Sequence, residues 1–351
     1  MRLISRRFST ICRTIQNYKT STRDENTSLI DLGKIAFETA DGQHPTAAGH
    51  RDIYNAALPA FNAVMKSDKC QGGIPPETFS LWQGQAPAGD GSFEKISDSA
   101  PNLHTPATIT VFRPVKGNGA AVVICPGGGY AMHDMSGAEG AGSAMWLNKM
   151  GVIGVVLNYR LPHGRCMAPL LDAQRAIRMV RSKAGDWGCD VHRIGILGFS
   201  AGGHLASAAA THFDAGDPKA ADPVNGFGCR PDFALLVYPV ITMGEKSHGG
   251  SKLNLLGPNP AAENIEYFSN ERQVTSLTPP CFLAHAANDT VVPPENSRQF
   301  HEALRAHHVP SHYLELPSGE HGLNGYKGPM WDAWLAESEK WMAEQLIISN
   351  P

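Results

Sequence analysis

From residue 107 onward, short apolar runs alternate with stretches in which apolar residues recur every three or four positions. The runs predict buried strands, and the periodic stretches predict amphipathic helices. The predicted strands are TITVFRP, AAVVICPGGGY, VIGVVLNYRLP, RIGILG, FALLVYPVI, CFLAHAAND and SHYLELP. Strands that are apolar throughout and separated by helices are typical of a parallel sheet covered on both faces. The pattern therefore predicts an α/β fold with a doubly wound, mostly parallel sheet and helices on both faces.

The helices between these strands show the amphipathic spacing most clearly in five stretches. They run through GSAMWLNKMG, APLLDAQRAIRMVRSKAG, GGHLASAAATHF, ENSRQFHEALRAHH and WDAWLAESEKWMAEQL. In parallel sheets of this kind, ligands bind at the carboxyl ends of the strands. We therefore expect catalytic or ligand-binding side chains in the loops that follow the strands.

The chain divides into four predicted segments. Residues 1–30 form a basic tail that we expect to be disordered, and 31–66 contain the sequence DGQHPTAAGHRD followed by apolar residues at helical spacing. Residues 67–104 are rich in Gly, Pro and Ser, which predicts a linker without regular structure. Residues 105–351 form the main domain.

Charge narrows the class of partner. The 30 basic and 33 acidic side chains are scattered and sum to −3, which favours neither nucleic acid nor an anionic membrane. Six basic residues precede the first acid, Asp24, in the manner of a transit-type presequence, but no apolar run of about 7 to 15 residues follows, so a secretory signal is not predicted. No run approaches the roughly 18 apolar residues that span a bilayer. We expect a soluble protein with a small or polymeric neutral substrate.

The seven cysteines are widely spaced. They form no C-x-x-C pair and no Cys/His spacing of a zinc site, and their odd number leaves at least one free thiol. Cys125 and Cys281 lie inside predicted strands, which favours small buried hydrophobic side chains over reactive thiols. We expect neither a metal nor a cofactor.

The sequence ILGFSAGGHLA carries the pattern G-x-S-x-G through Gly198, Ser200 and Gly202. The pattern lies directly after a predicted strand and before a predicted helix. A sharp strand-to-helix turn needs small residues on either side of the serine, which then stands exposed at the helix N-terminus. The alternative is a serine that only caps the helix. We predict that Ser200 is a catalytic nucleophile.

A serine hydroxyl needs a base, and the base needs a group to orient it. In doubly wound hydrolases these follow in the order Ser, Asp or Glu, His. Asp289 follows the strand CFLAHAA and His321 follows HYLELP, so both lie at the same sheet edge as Ser200. Asp232 precedes its strand, at the opposite edge, and Glu320 adjoins the predicted base itself. Among other histidines, the sequence favours a core position for His285.

The glycine-rich loop in ICPGGGY follows an early strand. Esterases with an HGGG-type loop place donors for the oxyanion at this position. Glycines let backbone N–H groups face a substrate without obstruction, so we predict Gly128, Gly129 and the amide of Ala201 as those donors. A phosphate-binding loop is the alternative, but the G-K-[ST] ending and the G-x-G-x-x-G spacing are both missing.

With these pieces in place, residues 105–347 resemble the α/β-hydrolase superfamily, and within it bacterial acetylxylan-esterase and feruloyl-esterase-like carbohydrate esterases. The resemblance rests on SLWQGQAPAG, PGGGY, NYRLP, GFSAGGHLA, RPDFALLVYPVI, NDTVVP and GEHG. It implies Ser200 as nucleophile, Asp289 as orienting acid, His321 as general base and the glycine-rich loop as oxyanion hole. Pro126 stands where many esterases have histidine. The segment 242–257 looks like a cap or substrate-side insertion of this group.

The resemblance also implies a substrate and a location. Esters of acetyl or other short acyl groups on plant polysaccharide, such as acetylated xylan, are the implied substrates, and a periplasmic or secreted site is implied. Tyr130 is a weak candidate for sugar binding, as are Trp82 and Tyr326, although core packing explains an aromatic side chain equally well. The alternatives are a general short-chain carboxylesterase or peptidase of the same fold and, more remotely, a non-catalytic carbohydrate-binding protein.

The N-terminal sequence DGQHPTAAGH resembles the last block of SGNH (GDSL-type) hydrolases, where an Asp-x-x-His supplies the acid and base. Asp41 and His44 match that pattern. No GDS-type serine block precedes them, so we interpret 31–66 as a remnant of a two-esterase arrangement. Chance similarity in a capped turn is the alternative.

Overall fold

The structure, a computed structural model, describes residues 74–84, 86–87, 106–162 and 165–348. The predicted basic tail and the SGNH-like segment with Asp41 and His44 lie outside these ranges. Both therefore remain predictions.

One eight-stranded sheet organises the described part of the chain, in the order β1-β2-β4-β3-β5-β6-β7-β8. Strands β3 to β8 are parallel, whereas β1 and β2 pair antiparallel at one edge. The predicted fold class is confirmed. The bounds are β1 Glu77–Ser80, β2 Thr108–Phe112, β3 Ala121–Cys125, β4 Ile153–Asn158, β5 Ile194–Phe199, β6 Ala234–Val237, β7 Cys281–Ala286 and β8 Ser311–Leu316.

Strand β1 lies inside the segment predicted to be a linker, so the prediction of no regular structure is wrong for these four residues. β1 pairs with β2 from Glu77 opposite Val111 to Ser80 opposite Thr108. The strand is short and largely exposed, which is common for edge strands and leaves little apolar alternation to detect. The sheet thus begins before residue 105.

Helices cover both faces of the sheet, and all five predicted helices are present. Together with three further short helices, they are α1 Ser143–Lys149, α2 Met167–Ser182, α3 Ala184–Trp187, α4 Ser200–Thr211, α5 Gly249–Leu256, α6 Ala262–Tyr267, α7 Glu295–Ala306 and α8 Pro329–Glu344. Short helices α3, α5 and α6 were not predicted, because one or two turns carry too little periodicity. Within the described ranges, no helix has the combination of length and apolarity that a membrane crossing requires.

The core explains why the central strands read as continuous apolar runs. Every residue of β3, β5, β6 and β7 is buried, because helices cover both faces. The loops after β3, β5, β7 and β8 emerge at the same edge of this sheet. These four loops carry the residues that the sequence singled out.

Candidate active site

Ser200 occupies a strained turn between β5 and α4. Its backbone φ is +53°, a left-handed conformation that non-glycine residues rarely adopt. A Cβ on Gly198 would lie 2.2 Å from the carbonyl oxygen of Gly202, and one on Gly202 would lie 2.0 Å from that of Cys125. Both flanking glycines are therefore required by close backbone contact, as the G-x-S-x-G pattern predicted.

The structure brings Ser200, His321 and Asp289 together. His321 Nε2 lies 2.9 Å from Ser200 Oγ, and His321 Nδ1 lies 2.7 Å from Asp289 Oδ2. An ionised carboxylate only accepts, so Nδ1 carries the hydrogen and Nε2 is left to accept from the serine hydroxyl. The three side chains thus form a connected proton-transfer path.

Asp289 is held as a carboxylate by its surroundings. Oδ1 accepts hydrogen bonds from the amides of Val291 and Val292, each at 2.9 Å. Burial by itself would raise the pKa of Asp289, but the hydrogen bonds from His285, His321 and Val292 outweigh it and hold the pKa well below its usual range. Asp289 is therefore negatively charged at neutral pH.

His285 has a part in the site that its place within a strand did not indicate. As predicted, it is fully buried, with Nδ1 2.8 Å from Ser297 Oγ and Nε2 3.0 Å from the carbonyl oxygen of Val292. Its Nε2 also lies 3.3 Å from Asp289 Oδ2. This core histidine therefore packs directly against the predicted orienting acid.

Two residues of the glycine-rich loop have positive φ angles, which glycine adopts readily. Gly128 has φ of +128° and Gly129 has φ of +65°, and a Cβ on Gly128 would lie 2.2 Å from the carbonyl oxygen of Met132. Ala201 lies in the first turn of α4, where an amide has no intrahelical acceptor. The predicted donors thus retain amides that a substrate oxygen could engage.

Glu139, which no sequence pattern indicated, anchors this loop through a hydrogen bond. Its Oε2 accepts a hydrogen bond from the Gly127 amide at 2.8 Å, and Oε1 accepts one from the Tyr238 hydroxyl at 2.8 Å. Burial raises the pKa of Glu139 against the effect of these two hydrogen bonds. The Tyr238 ring in turn lies edge-on to His321, with 4.9 Å between centroids. Glu139 thereby links the loop to the predicted base.

Tyr130 does not face the substrate, so that candidate assignment is wrong. Its side chain is 2% exposed, and its hydroxyl lies 2.8 Å from Nδ1 of the buried His204. Trp82 is likewise engaged, because its Nε1 donates to Asp172 at 2.7 Å. Of the three aromatic candidates, Tyr326 alone has a substantially exposed side chain, at 40%.

The segment 242–257 contacts the glycine-rich loop. Within it, Asn254 on α5 donates from Nδ2 to the carbonyl oxygen of Gly129 at 2.8 Å. His248 accepts a hydrogen bond from the Ser251 amide and caps α5, and a Cβ on Gly129 would lie 4.0 Å from its ring. This segment therefore supports the loop through α5, and its interpretation as a cap or insertion stays a prediction.

The fully buried His204 and the half-buried His133 predict how stability varies with pH. Burial lowers the pKa of His204 and of His133 to about 4, from about 6.5 in an unfolded chain. Between these values the unfolded chain binds more protons, so stability falls as the pH falls. We expect a loss of about 2 kcal/mol per histidine between pH 7 and pH 5, measured by guanidinium unfolding. His204→Gln should reduce this dependence, and equal stability at the two pH values would contradict the expectation.

The cysteines of the described ranges are all free, at positions 125, 166, 189, 229 and 281. Cys125 and Cys281 are fully buried, and burial raises the pKa of both thiols, which confirms their prediction as inert core residues. Across the described ranges, no cluster of three or more His, Cys, Asp or Glu side chains is arranged to hold a metal ion.

Comparison with known proteins gives consistent results. The BD-FAE family matches residues 109–304. The chain is 38% identical over 222 residues to an acetylxylan esterase from Xylanibacter ruminicola, a match covering 62% of this chain and 44% of the relative. It is 39% identical to endo-1,4-beta-xylanase B from Butyrivibrio fibrisolvens, over 61% of this chain and 34% of that protein. The chain thus spans less than half the length of these two relatives.

A solved structure is similar over nearly its whole length. The acetyl ester-xyloside bifunctional hydrolase from Caldicellulosiruptor lactoaceticus superposes with a TM-score of 0.71 at 39% identity, covering 78% of this chain and 97% of that one. The predicted resemblance to α/β-hydrolase carbohydrate esterases is confirmed. Because the family match covers more than half of the 351 residues, the chain belongs to the BD-FAE family.

Proposed function

We propose that the protein is a serine carboxylic ester hydrolase that removes acetyl groups from xylose-containing carbohydrate. The observation that carries the proposal is the connected set of Ser200, His321 and Asp289, with 2.9 Å and 2.7 Å between successive partners. A path of this length lets the hydroxyl lose its proton as it attacks a carbonyl carbon.

In the first step, Ser200 Oγ attacks the ester carbonyl while His321 Nε2 takes its proton. The buried, negative Asp289 stabilises the imidazolium that forms and keeps the proton on Nδ1. Negative charge develops on the carbonyl oxygen, and the amides of Gly128, Gly129 and Ala201 would donate to it. Collapse of this intermediate releases the alcohol, which receives its proton from His321.

In the second step, His321 takes a proton from water, and the resulting hydroxide attacks the acyl-enzyme. The carboxylic acid leaves, and Ser200 regains its proton from His321. Glu139 accepts hydrogen bonds from the Gly127 amide in the glycine-rich loop and from the Tyr238 hydroxyl beside His321. These two hydrogen bonds hold the oxyanion donors and the general base in place through both steps.

The proposed substrate class draws on the relatives. Two similar proteins bear the names acetylxylan esterase and acetyl ester-xyloside hydrolase. The neutral charge balance of this chain fits an uncharged polysaccharide better than an anionic partner. Both considerations favour acetylated xylan and its oligosaccharides.

The test is release of acetate from acetylated xylan and acetylated xylo-oligosaccharides by the purified full chain. We expect acetate from the oligosaccharides and, among 4-nitrophenyl esters, a decline in kcat/KM as the acyl chain lengthens beyond acetyl. A chemically deacetylated xylan is the matched control and should yield none. Hydrolysis of the 4-nitrophenyl esters without acetate from any acetylated xylan would indicate a general short-chain esterase instead. Cleavage of peptides alone would point to a peptidase.

A further inference from the structure

We infer that the ring of Tyr326 is the platform on which the sugar of the ester stacks as the acetyl group is removed. The inference rests on the proposed function, since it concerns the alcohol part of a carbohydrate ester. It assigns recognition of the sugar to one side chain in the loop that carries His321.

The backbone after His321 is unusual. Residues 322 to 326 all have positive φ, from +48° to +87°, and three of the five are not glycine. The Tyr326 amide donates to the carbonyl oxygen of Gly322 at 2.9 Å, which closes one left-handed helical turn. Consecutive left-handed residues that carry a Cβ are disfavoured, and such strain is concentrated at functional sites. The turn returns the chain toward His321 within five residues.

This turn places Tyr326 beside the predicted base. A Cβ on Gly322, the residue after His321, would lie 3.7 Å from Tyr326 Cζ and 3.8 Å from its hydroxyl oxygen. The aromatic side chain therefore lies on the histidine side of Ser200.

A packed row of aromatic side chains supports the ring from behind. Tyr326 meets Trp331 edge to face at 5.5 Å, and Trp331 stacks on Phe199 at 6.2 Å and 19°. Phe199 is fully buried and directly precedes Ser200. A rigidly supported aromatic surface loses little conformational entropy when a ligand binds to it.

The chemistry of the reaction places the alcohol on this side. His321 Nε2 must reach both Ser200 Oγ and the oxygen of the leaving alcohol, because it gives that oxygen its proton. The acyl oxygen lies instead toward the glycine-rich loop. An aromatic ring next to the histidine thus faces the sugar, whose C–H face packs well on a π surface.

The Tyr326 ring is partly exposed to solvent. Tyr326 is 40% exposed, whereas Tyr130 is buried and Trp82 is only partly exposed. Among these three aromatic candidates, Tyr326 alone combines an exposed ring with a position beside His321.

The test compares two substrates in three variants of the full chain. Tyr326→Asn removes the ring and introduces a residue that tolerates a left-handed backbone. Tyr326→Phe keeps the ring. For each, kcat/KM is measured for an acetylated xylo-oligosaccharide and for 4-nitrophenyl acetate, and the ratio of the two is reported. Tyr267→Asn is the control, because Tyr267 is similarly exposed, at 37%, but stacks on His212 at the end of α4 opposite Ser200.

We expect Tyr326→Asn to lower the ratio at least about fivefold, through a higher KM for the oligosaccharide. Tyr326→Phe should keep a ratio within about twofold of the wild type, since the stacking surface is retained, and Tyr267→Asn should keep it too. A parallel fall for both substrates in Tyr326→Asn would show that the ring only maintains the loop, and would overturn the inference. An unchanged ratio would overturn it as well, while leaving the esterase proposal intact. If the wild type releases acetate from no acetylated sugar, the substrate proposal and this inference fail together.

Discussion

Ser200→Ala is expected to lower kcat for ester hydrolysis by at least about 10⁴-fold, the scale of loss seen when a serine hydrolase is left without its nucleophile. The hydroxyl is the only group within 2.9 Å of His321 Nε2 that can attack a carbonyl carbon, among the contacts of the described residues. The rate of 4-nitrophenol release from 4-nitrophenyl acetate measures the loss of activity. Far-ultraviolet circular dichroism and the unfolding midpoint should match the wild type, because alanine keeps the same Cβ in the strained turn.

Ser276→Ala is the matched control for that experiment. Ser276 is exposed and lies before β7, at the edge of the sheet opposite the carboxyl ends of the strands. Its removal should leave kcat and KM within about twofold of the wild type, as is usual for surface positions away from special features. Retention of more than about 1% of the activity by Ser200→Ala would show that the nucleophile is misassigned.

The fold and the central chemistry could be predicted because their signals are local. Burial on both faces of β3, β5, β6 and β7 requires apolar residues at every position, and that pattern is legible in the chain itself. The close contacts of Gly198 and Gly202 likewise require glycine wherever the turn occurs. Chain order then placed Asp289 and His321 in loops at the same sheet edge.

The supporting contacts could not be predicted because they join segments far apart in the chain. Glu139 and Tyr238 are 99 residues apart, and nothing at either position distinguishes a buried hydrogen bond from an ordinary helical glutamate or core tyrosine. The same ambiguity explains the wrong assignment of Tyr130, whose position after the glycine-rich loop fits either orientation of the side chain. The structure decides between them, because its hydroxyl contacts the buried His204.

Asp172→Ala is expected to destabilise the fold by about 3 to 5 kcal/mol, the cost of removing one partner from a buried ion pair. Asp172 is fully buried on α2, and Arg160, which follows β4, is 5% exposed. Arg160 Nη2 lies 2.9 Å from Asp172 Oδ1, and the Arg160 amide lies 2.8 Å from Oδ2. Arg160 Nε donates to both carboxylate oxygens, at 3.1 Å and 2.9 Å, and Trp82 Nε1 donates to Oδ1 at 2.7 Å. The substitution removes the buried carboxylate that accepts from the Arg160 guanidinium, and it removes the acceptor of the Trp82 indole N–H.

An exposed ion pair between Lys183 and Asp186 provides the comparison for the buried one. Asp186→Ala removes the partner of Lys183, whose Nζ lies 3.2 Å from Asp186 Oδ2 at the surface, and it should cost less than about 1 kcal/mol. Urea unfolding of both variants, followed by tryptophan fluorescence, measures the difference in the free energy of unfolding.

If Asp172→Ala does not fold, Asp172→Asn keeps the acceptor oxygen and should still lose more stability than Asp186→Ala. Equal losses at the two positions would mean that the buried charge pair contributes no more than a surface pair. In that event the attachment of the β1 segment to α2 would depend on Arg175 instead, because Arg175 Nε donates to the carbonyl oxygen of Leu81 at 3.0 Å and its guanidinium lies 5.1 Å from the centre of the Trp82 ring.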